Sequence, residues 1–98
     1  MSRDEVLHKL RTHAPALQAE GILHLALFGS VARNEAGPES DVDLMAVYDP
    51  NRRLGLFELG RIHYTIEDLL GAKVDLANRL HMRPIIKESA EEDAIDAF

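Results

Sequence analysis

The chain has 98 residues, 46% of them hydrophobic and 29% charged, with no cysteine and a formal net charge of −6 at pH 7. That is one domain's worth of residues, predicted to span 1–98 around a modest core. The missing cysteines exclude a disulfide framework and thiolate metal sites, and the acidic balance argues against direct nucleic-acid binding by bulk electrostatics.

The opening Met1-Ser2-Arg3-Asp4-Glu5 has no apolar signal core, and no apolar run approaches the roughly 20 residues needed to cross a bilayer. A cytoplasmic protein with no membrane contact is the expectation, in keeping with the absence of cysteine. Val6, Leu7, Leu10 and Ala14 recur at helical spacing, and Ser2 with Glu5 three residues on reads as a capping box. Pro15 ends or kinks this helix, and Gly21 stops a further turn after it.

A first strand is predicted over Ile22–Phe28, cut off abruptly by Gly29-Ser30. A single helical turn over 31–35 follows, broken by Gly37-Pro38. Val42–Tyr48 reads as a second strand, closed by the turn former Asp49-Pro50-Asn51. Leu56, Leu59, Ile62, Ile66, Leu69 and Leu70 keep a three-four rhythm that predicts a long helix over 55–70, with a break near Tyr64 as an alternative. Leu54, Leu56 and Phe57 fit either the core or an exposed apolar patch for a partner.

Residues 73–77 form a short third strand. Pro84 opens a last helix with Ile85, Ile86 and Ala90 facing inward. Five acids, Glu88, Glu91, Glu92, Asp93 and Asp96, predict that 88–98 end in a solvated, frayed tail. The order of elements gives an α/β fold, a small mixed sheet flanked by helices.

The chemistry gathers on aspartates. Asp41 and Asp43 are two apart, so in a strand both project from one face, where their mutual repulsion asks for a cation. Hard carboxylate oxygens suit Mg²⁺ or Mn²⁺. Alone, the pair is equally a solvated strand entrance. Asp75 sits between Val74 and Leu76 in an apolar strand; beside the second strand it joins the same pocket, and otherwise it is an edge-strand solubility device. Three carboxylates would serve a two-metal site. Gly29 lets a ligand approach the strand end, the amides after it with the Ser30 hydroxyl suit phosphate oxygens, and Arg33 adds a charged contact one turn on. The five histidines show no ligand spacing and read as surface or satisfied side chains.

Taken together, Leu27-Phe28-Gly29-Ser30-x-Ala32-Arg33, Ser40-Asp41-x-Asp43-Leu44 and Gly71-x-Lys73-Val74-Asp75-Leu76 resemble the minimal nucleotidyltransferase family of the polymerase-β-like superfamily. The resemblance covers about residues 5–90. Asn34 departs from it, standing where many relatives have glycine. It implies the polymerase-β-like fold, Mg²⁺, and ATP as substrate. It implies that Gly29 and Ser30 bind the triphosphate, that Asp41, Asp43 and Asp75 hold the metals, and that Asp75 helps deprotonate the attacking hydroxyl. Arg33 and Ser40 match the motif with less defined roles, and Arg83 is placed within reach of the nucleotide.

Members of that family are antitoxins of HEPN-domain RNase toxins. The resemblance therefore implies a hetero-oligomer with such a toxin and transfer of AMP to one of its tyrosines, which silences it. A partner presenting its own hydroxyl also suits a chain this short. The competing reading is an antitoxin that neutralises by masking its toxin, without catalysis.

Overall fold

The computed structural model describes residues 1–98. Helix α1 (Arg3–Thr12) and helix α2 (Ala14–Ala19) lead into strand β1 (Ile22–Phe28) and the short helix α3 (Gly29–Ala32). Strand β2 (Val42–Tyr48), helix α4 (Leu56–Leu70) and strand β3 (Val74–Asn78) follow. A 3₁₀ turn (Arg79–His81), helix α5 (Pro84–Asp93) and strand β4 (Ile95–Asp96) complete the chain.

Ser2 caps α1, its Oγ accepting from the Glu5 amide at 3.2 Å and donating to the Glu5 carboxylate at 3.1 Å. Pro15 divides the N-terminal helical stretch, because it lacks an amide for the helix interior but fits the first turn of α2. Helix α4 runs without a break past Tyr64 and ends at Gly71, which takes the left-handed conformation at φ 65°.

The sheet order is β3-β2-β1-β4. Strands β1 and β2 pair antiparallel, β2 and β3 parallel, and β1 and β4 antiparallel. Side chains alternate across it. Leu25 and Leu27 of β1 with Val42, Leu44 and Ala46 of β2 point into the main core, against Val6, Leu10, Leu17, Ile62, Ile66 and Leu70 from the helices. Ala26 and Met45 point the other way and meet Ala90 of α5.

The structure departs from two expectations. Ile85 and Ile86 do not face inward: they are 79% and 50% exposed, and α5 touches the sheet through Ala90 instead. Ala90 packs with Ala26 and Met45, whereas Ile85 and Ile86 line an open cleft beside Gly29 and Arg33. The acidic end is likewise no frayed tail. It forms the end of α5 and then β4, with the Ala97 amide donating to Leu25 O at 2.8 Å and the Ala97 side chain buried. Two of its acids meet arginines from other elements, Arg79 donating to both oxygens of Glu91 and Arg33 to Asp93, while Glu88 and Glu92 stay exposed. Arg11 donates to the carbonyls of Asp96 and Ala97.

Candidate active site

Strand β1 ends at Phe28, and Gly29 turns the backbone with φ 76° into α3. On the neighbouring strand Asp43 stands opposite Phe28, and on the other side Asp75 is its parallel register partner. Register partners share a face of a sheet, so the Asp43 and Asp75 carboxylates stand side by side on the face that α5 partly covers. Asp41 precedes β2 by one residue and, two from Asp43, belongs to the same face.

Asp43 is half-buried, whereas Asp41 and Asp75 are exposed. Its carboxyl is pushed above the usual aspartate range, first by burial, then by the charges of Asp75 and Asp41, with Arg33 partly opposing them. The three carboxylates therefore form one electrostatic group, although no three acids or histidines close into a ready-made metal cage. The donor set fits Mg²⁺ or Mn²⁺, which take a few carboxylates and complete their shells with water and phosphate oxygens. Asp41, Asp43 and Asp75 are the residues that would hold the cation.

Gly29 is required by contact as well as by conformation. A Cβ there would stand 2.2 Å from Asp43 Oδ2, so the carboxylate lies against the glycine itself. Ser30 follows at the head of α3. Ser40 shapes the loop before Asp41: its Oγ accepts from the Gly37 amide at 3.0 Å, and its own amide donates to Gly37 O at 3.2 Å. Arg83 is exposed just ahead of α5.

Arg33 is already occupied. Its Nε donates to Glu35 at 3.1 Å and its Nη1 to Asp93 at 2.6 Å. Neither acid was singled out from the sequence. Glu35, two residues away, was the visible candidate, while Asp93, 60 residues on, left no local signal.

Two clefts open near this end of the sheet; Asp41 lines one of them, and Asp43 and Asp75 line neither. One of about 310 Å³ is lined by Gly29, Arg33, Ile86, Ser89 and Asp93. The other, of about 450 Å³, lies between the 36–41 loop and the turn before β3, where Lys73 of the Gly71-x-Lys73-Val74-Asp75 motif stands with Asp41. The histidines stay outside both. His63, for example, bonds Val74 O at 2.7 Å and sits 3.6 Å from Glu67.

A Gly-Ser corner is thus pressed against aspartates on adjacent strands. The nucleotidyltransferase domain family profile matches residues 8–97. The chain belongs to that family. A Methanocaldococcus jannaschii relative named "Putative protein adenylyltransferase" is 40% identical over 95 residues, 93% of each chain. A solved "putative minimal nucleotidyltransferase" superposes with TM-score 0.71 at 31% identity, over 97% of this chain and 95% of that one. A tri-AMPylated Shewanella oneidensis HEPN toxin in complex with an MNT antitoxin aligns at TM-score 0.65, over 94% of this chain and 71% of that one. Its identity is 13%, so that likeness attests the fold alone. This nucleotidyltransferase is thus an enzyme with the mixed sheet of its family, and none of its helices is long and apolar enough to cross a membrane.

Proposed function

We propose that this nucleotidyltransferase moves AMP from ATP to a tyrosine hydroxyl of a HEPN-domain toxin, with which it assembles, and so silences the toxin. The observation that carries the reading is the register pairing of Asp43 with Asp75 beside the Gly29 corner. It provides paired carboxylates next to a place where phosphates approach backbone. The names of the relatives and the AMPylated toxin complex support the choice of AMP and of a protein acceptor.

Gly29 and Ser30 hold the triphosphate, Arg33 adds a cationic contact, and the Ser40 turn presents Asp41. Asp41, Asp43 and Asp75 would hold divalent cations such as Mg²⁺, which when bound would supply charge neutralisation at the phosphates and at the acceptor hydroxyl. The tyrosine oxygen attacks the α-phosphorus, the bond to the β-phosphate oxygen breaks, and pyrophosphate departs. Asp75, exposed at the outer strand, accepts the hydroxyl proton. The cytoplasm, where ATP is abundant, is the compartment this reading requires.

The test incubates the protein with its cognate toxin, ATP and Mg²⁺, followed by intact mass spectrometry of the toxin. A gain of one or more AMP units is expected. No gain while the two proteins bind would defeat the transfer. If Asp41→Asn still neutralises the toxin without modifying it, masking is the mechanism instead.

A further inference from the structure

We infer that Asp93 is a positioning residue that competes with the triphosphate for Arg33 and so limits how tightly polyphosphate is held. This rests on the proposed triphosphate site at Gly29–Ser30 and adds to it an acid supplied by the C-terminal segment.

The geometry is direct. Arg33 follows α3, the helical turn opened by Gly29, and its Nη1 donates to Asp93 Oδ2 at 2.6 Å. The Asp93 side chain is only 20% exposed, whereas that of Arg33 is 43% exposed, so the acid is the better anchored partner. Asp93 is the last residue of α5, and two residues later β4 begins its pairing with Leu27 and Ala26, just before the Gly29 corner. The carboxylate is thus tethered on both sides. Gly29, Arg33 and Asp93 line the same cleft.

An anion entering that cleft meets one cation, already paired, and one fixed carboxylate. It must take Arg33 from Asp93 while standing near a like charge. Arg33 keeps a second partner in Glu35 at 3.1 Å, so loss of Asp93 leaves the side chain ordered rather than free to wander. Arg33 also lies within electrostatic reach of Asp43, which ties the exchange to the carboxylate row. The consequence for the reaction is release: an internal rival for Arg33 favours departure of pyrophosphate after transfer.

The test is calorimetric titration with α,β-methylene ATP and Mg²⁺, with adenosine as the uncharged control. Asp93→Asn should bind the triphosphate roughly two- to fivefold more tightly, an advantage that shrinks at high salt. Adenosine binding should not change, and Asp93→Glu should stay near the parent. Combining Asp93→Asn with Arg33→Ala should erase the gain, which a merely structural role for Asp93 would not predict. Melting curves accompany each variant. Unchanged or weaker triphosphate binding by a folded Asp93→Asn overturns the inference while leaving the proposed function standing. A parent protein that binds no triphosphate overturns both.

Discussion

The carboxylate of Asp43 lies against Gly29 so closely that a Cβ on the glycine would stand 2.2 Å from Asp43 Oδ2 and 3.0 Å from its Cγ. The strand-end corner and the most buried acid of the site are therefore one steric unit, and a side chain added at Gly29 must displace Asp43.

Gly29→Ala should fail on both counts. A left-handed φ of 76° costs a non-glycine residue about 1–2 kcal/mol, and the new methyl group must displace Asp43. The expected result is a Tm lower by roughly 5–10 °C and a loss of AMP transfer larger than the unfolded fraction explains. Melting curves read beside the mass-spectrometric transfer measurement check this. A variant with parental Tm and transfer would refute the steric account.

Asp43→Asn should stabilise the metal-free protein at neutral pH while abolishing transfer. Burial first, then Asp75 and Asp41, raise the Asp43 carboxyl above its ordinary value. The folded chain then binds that proton more readily than the unfolded chain, so stability falls as pH rises from the usual carboxylate range through the raised pKa. Above it the penalty is fully present; below the ordinary range it vanishes. Melts in a chelator between about pH 3 and 8 should show the variant's advantage only at the upper end. Mg²⁺ should raise the parent's Tm and leave the variant's nearly unmoved.

Glu91 should behave in the opposite sense. Arg79 donates to its two oxygens at 2.8 and 2.6 Å, and these bonds hold the carboxyl below its ordinary range. Stability from this pair is present above the ordinary glutamate value and is lost as pH falls through the depressed one. Both side chains touch solvent, so Glu91→Gln should lose no more than about 1 kcal/mol at neutral pH. The difference from the parent should close in acid. A constant difference across pH would mean the effect is packing and not charge.

Removing residues 95–98 should destabilise the fold by roughly 2–4 kcal/mol, through lost burial of Ala97 and Phe98 and lost bonds to Arg11 and Leu25. It would also bare the outer edge of β1, an invitation to strand pairing between molecules. Denaturant unfolding with light scattering measures both effects. A truncated chain as stable as the parent would mean the last residues are a passive tail after all.

The elements that carry their own punctuation were readable along the chain. Ile22–Phe28 and Val42–Tyr48 are strands with the bounds expected of them, because glycine, proline or an Asp-Pro turn closes each apolar run. Pro84 opens α5 as its fixed φ requires. The last helix's facing was not readable in this way. Ile85 and Ile86 suggested an inward stripe, yet α5 docks through Ala90, because the sheet beneath offers Ala26 and Met45 rather than a groove for isoleucines. The acidic end misled for a related reason: composition counts charges but does not say which arginines will meet them.

The site divides along the same line. The Gly29-Ser30 corner and the approach of Asp41 and Asp43 to β2 are local, so their placement at strand ends followed from short-range pattern. That Asp75 stands in register with Asp43 depends on a parallel pairing made across α4. That Asp93 reaches Arg33 depends on α5 crossing the sheet and β4 closing its edge.

By itself, then, the amino-acid sequence determined where this chain turns, which residues alternate onto one face, and which acids were available for a cation. Short-range sterics and periodicity decide those matters within a few residues. The tertiary structure alone decided which acids stand together and which are neutralised. Asp75 joins Asp43 with no arginine bonded to either, while Glu91 and Asp93 are bound by Arg79 and Arg33. Charge pairing across 60 residues is set by how helices and strands pack, and no local pattern encodes it.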